Sequence, residues 1–397
     1  LTEVDEEKIE NIRRNESSYS INIASYDRIT PVRIGPVEIL NPVINSEREK
    51  ILDAVRVAND IVTAVPSVDL YEKGGIAGIL RQGLSERKKP ALVYASENHM
   101  EAAVILKELV FGKKMPNHIR FADTVIERMG GPHFDKKFIK SCNLSPVTPA
   151  MDQALLVEDF DRIIVEKTEF KEVEGFSSLF NRFHATHRIN MFEELKLLGH
   201  NAVHFLLGCL AGLKGYRFIS EYNGDSDFGL IGVDALLHET GGWFKEKYRS
   251  TGEQVATEQG FREWTEQLCR RIVNPFLYDL VPRVIRDPGR KLGWNDRITS
   301  TIREAIRAGI QPRRYFLGIA SALFLFDPDR PRELVYKEDL TVPEALRKLK
   351  TLWENQGDRN MEQKILNGTK EAVGLVKAWK ESGKKQIAPF LKDRGYL

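Results

Sequence analysis

The chain has 397 residues, 42% of them hydrophobic and 29% charged, and its 59 basic and 57 acidic side chains leave a formal net charge of +2. That length exceeds one ordinary core and points to two domains, while the interspersed charges form no basic tract of the kind that binds nucleic acid. No apolar run long enough to span a bilayer is present. Cys142, Cys209 and Cys269 fall in no CxxC spacing, so neither a disulfide framework nor a thiolate metal site is indicated, and a reducing cytoplasm is expected. Residues 1–7 have neither the basic start nor the apolar centre of a signal peptide.

The opening Leu1-Thr2-Glu3-Val4-Asp5, followed by helix-like sequence, reads as the end of a second Rossmann strand, where an acid hydrogen-bonds the adenosine ribose. Glu3 is the better candidate, and a carboxylate there would repel a 2′-phosphate, favouring NAD over NADP. The alternative is a solvated acid. The GxGxxG turn that cradles pyrophosphate should lie about twenty residues before such an acid, so the first strand and its loop are expected to be missing from these residues. Gly74-Gly75-Ile76-Ala77-Gly78 has the wrong spacing and lies in a helix-like stretch, so it is no substitute. Runs at 59–66, 90–96 and 162–166 are short and rich in β-branched residues, as buried strands are.

After residue 166 the texture becomes helical, with apolar periodicity over 192–216, 260–284 and 296–326, broken by Pro275, Pro288 and Pro312, and a charged terminal helix from Met361. The expected organisation is an α/β Rossmann-type domain over 1–175 and a mainly α-helical domain over 176–397, with a boundary near 170–178.

Within the helical half, Lys196, His200, Asn201 and His204 share one side of an ideal α-helix. With Lys196 at zero, His200 falls near about 40°, His204 near about 80° and Asn201 near about 140°. Oxidation of a secondary alcohol needs a base for the hydroxyl proton and a donor for the developing oxyanion, parts that Lys196 and Asn201 can play while His204 orients a hydroxyl. A lysine becomes such a base where burial and neighbouring donors depress its pKa. Two other readings stand beside this one. The four can be ordinary helix side chains, or His200 and His204 can be metal ligands with Glu194, His184 or His187, although the glutamate of a zincin motif is absent.

The Lys-x4-Asn-x2-His pattern resembles the signature of the long-chain polyol dehydrogenases, the mannitol dehydrogenase family. In the same order, the segments 60–65, 95–100, 165–171 and 274–277 resemble that family too, over roughly residues 1–330. The resemblance implies a metal-independent enzyme with an N-terminal Rossmann domain, a helical C-terminal domain and a site between them. It assigns Lys196 as base, Asn201 and Asn98 as the amides holding the reacting oxygen, and His204 as the substrate-orienting residue. Ala64 and Val65 would lie against NAD.

The stretch 282–292 resembles the family's basic cluster around the distal end of the substrate, supplied here by Arg283 and Lys291; an exposed basic loop is the plain alternative. A guanidinium fork suits phosphate, carboxylate or vicinal hydroxyls alike. The wording of that stretch is nearest the mannitol-1-phosphate branch, implying a hexitol phosphate interconverted with its ketose. A hexuronate reductase of the same family, or a degenerate nucleotide or sugar-phosphate binding protein, are the other functions. A soluble monomer or homodimer, without nucleic-acid or membrane partners, is expected. His200 and the Leu-Leu-Gly before it depart from the usual signature, and a histidine there could alter the base or the substrate fit.

Overall fold

A computed structural model describes residues 1–168, 184–326, 336–353 and 358–397. The expected boundary near 170–178, and residues 169–171 of the family-like segment, lie outside the described residues. The chain forms two compact units, Leu1–Glu193 and Glu194–Leu397.

The first unit holds two sheets. Strands β1 (Tyr19–Ala24) and β2 (Ile29–Ile34) form a hairpin, followed in chain order by β3 (Asp60–Thr63), β4 (Ala91–Ala95), β5 (Ile119–Ile126), β6 (Gly130–His133), β7 (Ala154–Glu158), β8 (Ile163–Glu166) and β9 (His184–Thr186). One sheet runs β3-β4-β5-β8-β9 and the other β2-β1-β7-β6. The runs at 59–66, 90–96 and 162–166 are strands as expected. Strands β3, β4 and β5 are parallel, with Asp60 opposite Leu92 and Ala91 opposite Ile119. All five residues of β4 are buried, which is why this strand reads as a continuous apolar run instead of an alternation.

The helices Asn45–Val57, Ile76–Ser85 and Ala102–Phe111 cover this sheet, packing Ile51, Val55, Leu80, Leu84, Leu106 and Val110 into one core with Val93 and Ile119. At Gly83 a Cβ would lie 2.5 Å from Val55 Cγ1, so only glycine lets the first two helices approach this closely. Both sheets also contain antiparallel pairs. Strand β8 pairs antiparallel with β5, and the second sheet is mixed, with β1 parallel to β7 but antiparallel to β2. Strand β6, Gly-Gly-Pro-His, carries no strand-like composition, so nothing in its residues announced it.

The second unit is helical. The periodicity over 260–284 belongs to two helices, Glu258–Ile272 and Val281–Ile285, because Asn274-Pro275 ends the first. That over 296–326 divides into Arg297–Arg307 and Arg313–Phe324, separated by Gly309 at φ 75° and by Pro312. Thr257, Asp296, Thr341 and Asp358 cap their helices by accepting from Gly260, Arg297, Glu344 and Asn360 N–H groups. The terminal segment forms the helices Arg359–Glu381 and Ile387–Lys392. No helix among the described residues is long and apolar enough to cross a membrane.

Candidate active site

Helical structure runs from Ile189 to Lys214, and its middle is not α-helical. Residues Leu195–His200 form a π-helical segment between the α-helices Ile189–Glu194 and Asn201–Lys214. The Asn201 N–H donates to the Lys196 carbonyl, an i→i+5 bond. A π turn takes about 4.4 residues, about 80° each, so Asn201 lies about 40° from Lys196 instead of about 140°. The expected α-helical spacing is therefore corrected, and the lysine and the amide sit one turn apart along nearly the same line. Buried Thr301 donates its hydroxyl to the Leu198 carbonyl at 2.6 Å, giving this irregular backbone a partner. At Gly199 a Cβ would lie 2.9 Å from Trp264 Cη2, so the segment fits against that indole only with glycine.

Exposure shows which face is open. From Leu198 to Ala211 every residue is buried except Asn201 and His204, and Lys196 is half-buried as well. Those are three of the residues singled out by spacing. His200 is not on the open face. It is 4% exposed, and its Nδ1 has no hydrogen-bond partner among the described residues. Burial, reinforced by Arg271, His204, Lys196 and Arg297, holds its pKa well below the usual histidine value. It is therefore a neutral filler beside the lysine, and its ring lies 5.9 Å from that of His204. As for the metal reading, Glu194 is bound by Lys247 and Tyr248, and His184 packs edge-on to Phe192. Among the described residues no group of three or more His, Cys, Asp or Glu side chains could hold a metal ion.

His204 and Arg283 meet on a residue that spacing did not reveal, Asp279. His204 Nε2 lies 2.9 Å from Asp279 Oδ2, a close contact without the alignment of a hydrogen bond. Arg283 donates from Nε at 2.9 Å and from Nη2 at 2.5 Å to Oδ1 of the same carboxylate. Asp279 is 3% exposed, and although burial alone would raise its pKa, His204 and Arg283 together hold it below the usual carboxylate value. Its backbone is fixed from both sides, since its carbonyl accepts from Ile219 N–H and Val281 N–H donates to the Arg217 carbonyl. Tyr278, just before it, adopts φ 48°, the left-handed region that a tyrosine avoids unless held there. An acid four residues before Arg283 was the available signal. It was hidden because residue 279 lies outside the helix Val281–Ile285.

Lys291 is 7% exposed, donates to the Val284 carbonyl at 2.7 Å, and lies over the Phe205 ring at 5.4 Å. Burial, with Arg297 nearby, lowers its pKa to about 7. Arg297 is itself buried and paired with Asp296 at 2.8 Å. The basic stretch 282–292 is thus not wholly an exposed loop. The close approach of the helix Val281–Ile285 depends on Gly208, where a Cβ would meet Val284 Cγ1 at 2.6 Å.

In the first unit Asn98 is exposed on the loop after β4, and Ala64 is exposed just past the end of β3. The Val65 N–H is already taken, donating to Glu97 Oε1 at 3.1 Å. Glu3 Oε1 accepts from Val4 and Asp5 N–H, and Oε2 accepts from Lys8 at 2.5 Å. Burial raises its pKa, but Lys8 and the two N–H groups outweigh that and hold it below the usual value.

Residues 188–381 match the mannitol dehydrogenase C-terminal domain. This part of the chain is the C-terminal domain of the mannitol dehydrogenase family. It is 27% identical over 351 residues to a mannitol-1-phosphate 5-dehydrogenase of Caldanaerobacter subterraneus subsp. tengcongensis, covering 85% of this chain and 80% of that protein. A Geobacillus stearothermophilus protein of the same name is 28% identical, covering 81% and 79% respectively. Two solved structures share the fold. A D-sorbitol dehydrogenase in substrate-free form superposes with a TM-score of 0.66 at 16% identity, over 96% of this chain and 85% of that one. The mannitol 2-dehydrogenase of Pseudomonas fluorescens, solved as a ternary complex with NAD and D-mannitol, gives 0.66 at 13% identity, over 98% and 86%. The half-buried row Lys196, Asn201, His204 falls inside the matched domain, as do Asp279, Arg283 and Lys291.

Proposed function

We propose that the protein is an NAD-dependent polyol dehydrogenase that interconverts a hexitol, in its phosphorylated form, with the corresponding ketose. The observation that carries the reading is the π turn that stacks Asn201 over Lys196 on the one open face of a buried helix, next to His204. Bound NAD would supply the hydride acceptor. The first unit fits it. Ligands of open parallel sheets bind at the carboxyl ends of the strands, and there Ala64 offers a small exposed side chain. Among the described residues Glu3 Oε2 accepts from Lys8 alone, which leaves it an acceptor site for a ribose hydroxyl.

The chain's own residues divide the remaining work. Lys196 takes the hydroxyl proton as the carbonyl forms, and Asn201 donates its amide N–H to the oxygen whose charge is growing. Asn98 supplies the second amide, as the family resemblance implies. His204, steadied by Asp279, orients the neighbouring hydroxyl. Arg283 and Lys291 face the far end of the substrate. Their charge, added to that of Arg297, matches a phosphate better than a neutral sugar end, and the two named relatives are mannitol-1-phosphate dehydrogenases. A hexuronate would meet the same cations through its carboxylate, and a panel of hexitols, hexitol phosphates and hexuronates with NAD and NADP separates the two readings.

Lys196→Ala tests the mechanism. Turnover is expected to fall at least about 10³-fold, with NADH binding, followed by fluorescence titration, essentially unchanged. A variant that keeps most of its turnover would refute Lys196 as the base.

A further inference from the structure

We propose that Glu97 is a positioning residue that fixes the Asn98 amide relative to the strand end at Thr63–Val65; this rests on the reading of Asn98 as a donor to the reacting oxygen. Glu97 is 5% exposed. A carboxylate in such a place is costly to bury unless its acceptor sites are filled, and here they are filled from one neighbouring segment. Oε1 accepts from Val65 N–H at 3.1 Å, and Oε2 accepts from Thr63 Oγ1 at 3.1 Å and from the buried hydroxyl of Tyr71. Tyr71 is correspondingly pushed to a higher pKa by burial and by the carboxylate beside it.

Thr63 ends β3, and Glu97 stands two residues past the end of β4. The side chain is thus a clamp between the loops that follow two adjacent parallel strands. Asn98, the next residue, is exposed, while the backbone on either side of it is held. Ser96 N–H continues the ladder to the Thr63 carbonyl at 3.0 Å, Thr124 Oγ1 donates to Ser96 Oγ at 3.0 Å, and His99 N–H closes a turn on the Glu97 carbonyl at 2.9 Å. Further along, Asp123 Oδ1 accepts from Ala103 N–H at 2.8 Å and secures the start of the next helix. An apolar residue at position 97 would fill the same space but could not engage Val65, Thr63 and Tyr71 together.

The test is a double-mutant cycle on the full chain, reading kcat and KM for oxidation of mannitol 1-phosphate by NAD. Glu97→Ala is expected to lower kcat about 10- to 100-fold with little change in KM for the polyol, and Glu97→Gln, which keeps an acceptor for Val65, to recover most of it. In an Asn98→Ala background, Glu97→Ala should cost no more than about twofold further, because the group it positions is gone. Equal losses in both backgrounds, or wild-type kcat for Glu97→Ala, would overturn the inference. Wild-type kcat for Asn98→Ala alone would instead overturn the role of Asn98. If circular dichroism shows that Glu97→Ala does not fold, Tyr71→Phe carries the same cycle with an expected loss of about three- to tenfold, and absence of that loss counts against the clamp.

Discussion

Asp279 shows how one buried carboxylate can serve two substrate-facing side chains. It is 3% exposed, and it meets His204 through one oxygen and Arg283 through the other. Removing it takes away the one carboxylate that both His204 and Arg283 approach and frees both side chains to wander. Asp279→Ala is expected to raise KM for the polyol about 10- to 100-fold while leaving NADH affinity intact, as steady-state kinetics and fluorescence titration would show. Asp279→Asn, which keeps the shape and one acceptor, should fall in between. If KM for the polyol is unchanged in both variants, the two side chains do not depend on this anchor.

Lys291 carries the opposite logic, since its folded pKa of about 7 lies below the ordinary lysine value of 10.5. A depressed lysine makes the folded state bind fewer protons than the unfolded one, so stability is lost as pH falls from about 10.5 to about 7 and is constant below that. Lys291→Met should therefore stabilise the protein by about 1–3 kcal/mol at pH 7 and by progressively less toward pH 10. It should also weaken binding of an anionic substrate. Thermal melts across that pH range give the sign, and a variant that melts lower at pH 7 than the parent would contradict the burial argument. Much at this scale was legible in the chain. Lys196, Asn201 and His204 were named from spacing and resemblance, and all are half-buried, the last two within a stretch, Leu198–Ala211, that is otherwise buried. Asp279 was not, because an acid in an irregular segment has no periodicity to betray it.

At the scale of elements, short apolar runs located β3, β4 and β8 within about three residues, most sharply at β4, which is buried throughout and leaves an uninterrupted trace. The second sheet left none. Its β6 strand is Gly130-Gly131-Pro132-His133, paired through register with β7 and not through propensity. Helix ends were equally hard to place where Pro275 and Pro312 separate helices that share one apolar period. The π segment was the largest departure, because a helical wheel assumes the step it is meant to test. Deleting Leu198 should let residues 195–200 relax to an α-helix. The protein is then expected to keep its helical circular dichroism and a kcat within about tenfold of the parent, since Lys196 and Asn201, four residues apart on an α-helix, still lie about 40° from one another. A loss of about 100-fold or more in a folded deletion variant would show that the π turn does more than set their phase.

For the molecule as a whole, the end of the helical unit is held by an ion cluster and not by apolar packing alone. Lys214 is paired with Asp225 and Asp227, and Asp227 accepts from Ile387 and Ala388 N–H at 2.9 and 2.8 Å. Asp227 has no exposed surface. Asp227→Ala would leave Lys214 with half its counter-charge and two N–H groups unmet, a loss of about 3–5 kcal/mol. A unit of this size should melt about 10 °C lower in calorimetry. A shift of less than about 2 °C would show that the terminal helices dock without the cluster.

The π segment at 195–200 also bears on heredity. One residue more than an α-helix needs is lodged there, so the segment is in effect an insertion that the helix never expelled. Loss of that residue would remove no catalytic side chain and would leave the lysine and its partner four α-helical residues apart, still about 40° from one another. A descendant of this gene could thus drop one letter between Lys and Asn and keep the same face, and a search by the original spacing would overlook it.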